Sequence, residues 1–446
     1  MTRAVQMTAP SRAVWPVVGA VLFAACFPYL VMGVLPAWIV LGLACFLIAA
    51  ARQEIGAALR LTPGVKAIVL AWLLLVIVSL VLDLVGFATR DVRTGPILNF
   101  VTLLMFIGIL SGSTHAKAQT VILLLASITL LQGVVSLLQY IGVGWAWSLS
   151  STLVSIVPFQ PLAATVSYDA AFEEFASVGR VKGTHVYVHI YNGVNSALVA
   201  ICTYMAVNPM RSLMPSRKLW LFLRVATLIG AVGILLSFSR SGILAIAGAV
   251  ALTFLIRPRP VKVVVISLAM ILLGAFLYSI DFSGSKQFSR LILAPQYDLN
   301  SQVRFDHIRH AIENFLKNPM VGESGVPNAI TLELPIHSVP MRYLNDYGAA
   351  GLLLYGFIFI AIVAVFLKHM RSGDNARIFW GGAGLCLMLA IVADSWTHSS
   401  GLLRRDVVHA VLIALTMGQA ARASVRAMQL RVTGQQPPPT PTRPIP

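Results

Sequence analysis

Apolar runs of about twenty residues recur along almost the whole chain, each long enough to cross about 30 Å of hydrocarbon. In that solvent the backbone must satisfy its own hydrogen bonds, which leaves helices or closed barrels. The runs are continuous rather than alternating, and this selects helices. The expected fold is therefore all-α: a polytopic helical membrane protein of about twelve spans. They lie near 14–31, 33–51, 66–88, 97–112, 119–142, 190–207, 218–238, 242–257, 262–280, 348–367, 378–395 and 407–422. Composition agrees, since 58% of the 446 residues are hydrophobic and 11% charged, against about 25% charged in soluble domains. Residues 1–422 form the membrane domain. The tail at 423–446 reads as cytoplasmic and Pro-rich.

A net charge of +17 raises nucleic acid as a partner, and its distribution argues against one. With the N-terminus inside, 19 Lys/Arg fall on one side of the spans against two acids, Glu54 and Asp374. The other side holds 13 basic and 12 acidic residues. This is the positive-inside pattern of a bilayer protein. It places both termini in the cytoplasm and leaves two long segments, 143–189 and 281–347, on the outer face. The four cysteines, Cys26, Cys45, Cys202 and Cys386, lie in apolar runs and suggest no disulfide framework or metal site. Leu22 to Cys26 resembles a lipoprotein cleavage site only faintly, and a cysteine within the first span is the better reading. The sequence shows no internal repeat, which weakens a transporter reading.

The first outer segment opens on Trp145 and Trp147, an interfacial aromatic pair. It closes on Gly179-Arg180-Val181-Lys182-Gly183-Thr184-His185. The second is a large loop between spans 9 and 10, with short helices expected inside it. It carries six Lys/Arg, seven Asp/Glu and three His. Within it, Arg304 to Phe315 places Phe305, Ile308, Ile312 and Phe315 on one helical face, and Asn318-Pro319 stops that helix. The loop ends in His337-Ser338, nine further residues, then Gly348-Ala349-Ala350-Gly351. Asn345 and Asp346 are suited to cap the span that starts there.

The outer face thus gathers Arg180, Lys182, His185, Arg240, Arg290, Arg304 and His337. Arg240 sits in Leu236-Ser237-Phe238-Ser239-Arg240-Ser241-Gly242, a turn too short to lift it far into water. A charge at that depth costs roughly 2–3 kcal/mol unless paired or wet. Either Arg240 snorkels to the headgroups, or it lines a cavity and meets an anion. Arg304 and Arg180 have surface-charge readings of the same kind. His337 alone would be an ordinary loop histidine. Near the membrane face, with an unperturbed value near 6.5, it can accept a proton at neutral pH. His307 and His310 stand three apart, but no carboxylate completes a metal set. Neither phosphate-loop nor dinucleotide motifs occur. Ser239 and Ser241 lack a nucleophile-elbow context. Asp83 and Asp394 lie near span ends, where interfacial placement is the cheaper reading.

Four local features together resemble the O-antigen ligase family of membrane glycosyltransferases. They are His337-Ser338 with its spacing to Gly348 and Gly351; Ser239-Arg240-Ser241-Gly242; Arg304 followed by Asn318-Pro319-Met320-Val321-Gly322; and Arg180-Val181-Lys182-Gly183-Thr184. The chain departs from the pattern at Glu323-Ser324, where relatives often have a second glycine, and at His307, where many have an aromatic residue. The resemblance implies the GT-C class, with transfer of O-antigen from undecaprenyl pyrophosphate to a sugar hydroxyl of lipid A–core. It implies no cofactor and no metal. Under it, Arg240 and Arg304 meet the pyrophosphate, with help from Arg180. Lys182, Arg290, Ser338 and His185 line the substrate site, and His337 acts as general base or orients the pyrophosphate. An O-antigen polymerase and a protein O-oligosaccharyltransferase share this donor. A flippase of lipid-linked glycan is the alternative from another class.

Overall fold

A computed structural model describes residues 14–26, 31–32, 35–61, 64–85, 95–147, 149, 181–185, 188–210, 212–237, 239–256, 299–325, 336, 338–397 and 407–432. Helices α1 (Val14–Cys26) and α2 (Ala37–Ala51) flank a minimal antiparallel pair, Val31–Met32 against Leu35–Pro36, with Val31 opposite Pro36. Helix α3 (Glu54–Leu61) turns 90° from α2, across Gln53 with φ 57°. Then follow α4 (Val65–Val85), α5 (Gly95–His115), α6 (Ala118–Tyr140), α7 (Val188–Val207), α8 (Arg217–Leu236) and α9 (Arg240–Ile256). The remaining helices are α10 (Leu299–Lys317), α11 (Val339–Met370), α12 (Asn375–Thr397) and α13 (Val407–Val432).

Helices occupy each expected span except 262–280, which lies outside the described residues. Seven of them are long and apolar enough to cross a membrane, or up to eight if the bent pair α2–α3 is one span. This count covers the described residues alone, in which α1 is described over 13 residues and α9 over 17. At the far end, α13 runs on to Val432, past the expected limit of the membrane domain at 422.

Backbones meet where side chains are smallest, as expected between membrane helices. An added Cβ at Gly108 of α5 would lie 2.6 Å from the Phe46 backbone of α2. One at Gly133 of α6 would lie 2.6 Å from the Ile229 carbonyl of α8. Trp72, Phe106, Tyr204, Phe379 and Trp380 fill the core between them. Leu70, Leu74, Ile77 and Leu84 of α4, and Leu353 and Ile360 of α11, point outward and stay exposed. At one end of the bundle, Gln419 of α13 donates to the Ser113 and Ala116 carbonyls, and Arg422 to those of His115 and Ala116. The candidate chemistry lies at the other end.

Candidate active site

Helices α4, α6, α8 and α12 finish at that end, and α5, α7, α9, α11 and α13 begin there. Their polar side chains form a buried layer. Asn99 donates to the Tyr343 hydroxyl at 3.2 Å, and the Tyr347 hydroxyl donates to Asp83 at 3.4 Å. Buried polar groups in an apolar protein are costly unless bonded, and here they bond to one another across helices.

Arg240 is the first residue of α9. Ser239 stands at the N-cap position, and its hydroxyl accepts from the Gly242 amide at 3.4 Å. Ser241 bonds Ser239 at 3.0 Å. The turn hangs from α7, because the Ser237 hydroxyl donates to Asn192 Oδ1 at 2.6 Å. An arginine at a helix N-terminus faces the positive end of the dipole. The free amides of a helix start favour an anion. The description of Arg240 stops at its backbone.

The next residue of α7, Gly193, lets Asp394 of α12 approach. An added Cβ would sit 2.7 Å from Asp394 Oδ2. The Gly193 carbonyl also lies 3.1 Å from His409 Nε2 of α13. Asp394, expected at the interface, is instead buried within the bundle. Small residues at its contact with α7 let it sink.

Two of the four sequence features lock together. After α10, the chain turns through Asn318-Pro319-Met320-Val321-Gly322 and lands on the kink of α11. That kink is Gly348, with φ 61° and ψ −151°. Beyond it, the Ala349 amide donates to the Pro319 carbonyl at 2.7 Å. Gly322 has φ 59°, and its added Cβ would lie 2.6 Å from the Gly348 nitrogen. The reciprocal atom on Gly348 would lie 2.8 Å from the Gly322 nitrogen. Side chains continue the seam. Asn314 donates to Asn345 Oδ1 at 2.9 Å, and Asn345 donates to Glu323 at 2.6 Å and Asp346 at 3.1 Å. Asn345 and Asp346 are therefore not caps. Helix α11 begins earlier, at Val339, and these residues bond sideways to α10, to Glu323 and, through Asp346 at 3.6 Å, to Arg342.

The same seam corrects the expected face of α10. Its packed side is His307, Ala311 and Asn314. Phe305 is 62% exposed and Leu316 70%. Arg304 lies on this helix, again described only at its backbone. Ser338 is buried at the start of α11, with no hydrogen-bond partner for its hydroxyl among the described residues. His337, between buried Ile336 and Ser338, lies outside the described residues, as do Arg180 and Arg290.

The turn before α7 is held from α6. Gln139 Oε1 accepts from the Lys182 and Gly183 amides at 2.9 and 3.0 Å, and its Nε2 donates to the Gly183 carbonyl at 2.7 Å. Gln132 Nε2 donates to the Thr184 hydroxyl at 2.6 Å and its Oε1 accepts from the Thr184 amide at 3.2 Å. Gly183 has φ 57°, and Tyr191 fills the space where its side chain would stand. Lys182 is 3% exposed, and desolvation pushes its ammonium below the usual lysine value. His185 is buried beside Tyr191, ring centroids 6.3 Å apart.

Sequence reasoning passed over Gln132, Gln139, Asn192 and His409. The visible signal was a polar residue inside an apolar run, twice at a spacing of seven on α6. Among the described residues, no three of His, Cys, Asp and Glu gather as metal ligands.

The structure is that of a helical membrane protein with a buried polar end and an interlocked glycine seam. Residues 225–356, from within α8 through Arg240 and α10 to the kinked start of α11, match the O-antigen ligase family model. No curated protein matches the chain. The family implies a ligase- or polymerase-type glycosyltransferase acting on lipid-linked glycan in a bilayer.

Proposed function

We propose that the protein is an O-antigen ligase of the bacterial inner membrane. It transfers O-antigen polysaccharide from undecaprenyl pyrophosphate to a sugar hydroxyl of lipid A–core on the periplasmic face. His337 takes the proton of the acceptor hydroxyl, whose oxygen attacks the anomeric carbon of the donor. The bond from that carbon to the diphosphate oxygen breaks with inversion, and undecaprenyl pyrophosphate leaves with the electron pair. Arg240 and Arg304, with Arg180 beside them, compensate the leaving charge, for which the guanidinium fork suits phosphate oxygens. Lys182, His185, Arg290 and Ser338 line the substrate site.

The observation that carries this reading is the seam between Asn318–Gly322 and Asn345–Gly348. It ties the helix bearing Arg304 to the helix that begins just after His337, within the family-matched segment. A general base is typically worth 10²–10⁴-fold. His337→Ala is expected to insert and fold normally, yet to lose transfer by about that factor with purified donor and acceptor. Wild-type rates in that variant would remove His337 from the reaction. A polymerase uses the same donor. Chain growth on a second lipid-linked glycan, without transfer to lipid A–core, would replace the ligase reading with that one.

A further inference from the structure

Arg224 stands on the lipid face of α8. Arg217, Leu221, Arg224 and Leu228 are spaced by four, three and four residues and share one side of the helix. All four are exposed, while Leu223, Ala226 and Gly230 form the buried side. Arg224 therefore looks out of the bundle among leucines, within an apolar span. It lies seven residues from Arg217, about 10 Å along the axis at the usual rise. A guanidinium at that depth is costly unless it finds water, a headgroup or a partner. Among the described residues it meets no carboxylate.

The second observation is what holds it. Its guanidinium carbon lies 3.4 Å from the centre of the Trp220 ring, one turn nearer the helix start. An interfacial tryptophan ordinarily turns its N–H to headgroups or water. Here the indole N–H donates to the Ala206 carbonyl, in the last turn of α7, at 3.0 Å. The ring is thus fixed between two helices, and the arginine is laid on its face. An arginine that only snorkels needs no such platform. A stacked guanidinium keeps its N–H groups at its edge, where the planar fork matches two phosphate oxygens. Exposed Arg217 and Lys218 continue the positive charge toward the helix start. Thirteen residues of helix, about 20 Å, separate Arg224 from Ser237 and the candidate active site. It also lies just before the family-matched segment.

We infer that Arg224 binds the phosphate of an anionic phospholipid in the leaflet where α8 begins, and that Trp220 is the residue positioning it. Arg217 and Lys218 add charge nearer the water. The site is separate from the glycan donor and acceptor and does not depend on the glycosyltransferase reading.

The test uses the full chain in an uncharged detergent, with bound lipid counted by native mass spectrometry across a titration. Phosphatidylglycerol is the probe and phosphatidylcholine the zwitterionic control. One basic residue at an anionic lipid surface is worth about 1 kcal/mol, or roughly fivefold in affinity. Arg224→Gln is expected to weaken phosphatidylglycerol by at least that factor and to leave phosphatidylcholine unchanged. Arg371→Gln removes the same charge from an exposed position after α11, at the same end of the bundle, and should change neither. Equal losses in the two variants would reduce the effect to bulk charge and overturn the site, as would no loss in Arg224→Gln. Arg224→Lys keeps the charge without the fork, so it should fall between, and it repeats the comparison where Gln prevents folding. Excess glycerol phosphate should not displace the lipid; displacement would make the ligand a soluble phosphate and sink the lipid site. Trp220→Leu should match Arg224→Gln, and Trp220→Phe should restore most of the binding. The double variant Trp220→Leu/Arg224→Gln should bind no worse than Arg224→Gln alone. Additive losses would make Trp220 merely structural.

Discussion

Gly322 and Gly348 each take a left-handed backbone, and each occupies the space where the other's side chain would stand. A methyl group on either meets backbone atoms, which have nowhere to retreat. Gly348→Ala is therefore expected to cost about 1–3 kcal/mol in thermal unfolding and to depress transfer. Gly356→Ala, in the same helix with open space around it, should change neither. Equal behaviour of the two variants would show that the seam does not matter. The spacing from His337 to Gly348 was legible in the sequence. Its reason was not, because it lies in a contact with residues some thirty positions away. Lys182 makes a second residue-scale prediction. Its value is lowered in the fold, so between that value and the ordinary lysine value the unfolded chain binds a proton that the folded chain does not. Stability then rises with pH across that window. Unfolding followed against pH should show the rise in wild type and not in Lys182→Met.

Helix α10 shows how an amphipathic pattern can mislead. Its apolar residues were legible, and in water that face would be expected to pack inward. Here the helices meet instead through small and polar residues. The seam accordingly uses Ala311, fully buried, and Asn314, while Phe305 and Leu316 face away. Ala311→Leu should overpack the contact with α11 and cost about 1–3 kcal/mol. Leu316→Ser should leave thermal stability in detergent nearly unchanged. The reverse ranking would return the apolar stripe to the protein interior. The span boundaries of the long helices were legible from hydrophobicity alone. The polar lining of α7 was not, since a sequence does not say which partner satisfies Asn192.

At the scale of the molecule, charge asymmetry carries the orientation, and it can be tested directly. Gly144 and Gly373 both stand in open space at opposite ends of the bundle, and Cys45, Cys202 and Cys386 are buried. An impermeant thiol reagent should label Gly144→Cys from the periplasm and Gly373→Cys only after the membrane is breached. The opposite pattern would invert the topology and move the site to the cytoplasm. The helical class and one polar end were legible from composition and charge. The layer joining that end together was not, since its bonds cross the whole chain. His409 meets Gly193 across 216 positions. Chains are made at about 5–20 residues per second, so α7 waits roughly 10–40 s for that partner. Asn192 and Asn195 meet Ser237 and Gly230 within 45 positions, so it is the Gly193 carbonyl that waits. Asp394 and His409 are the last of this polar layer to arrive, so a half-made chain already in the bilayer still lacks the groups that close over Gly193.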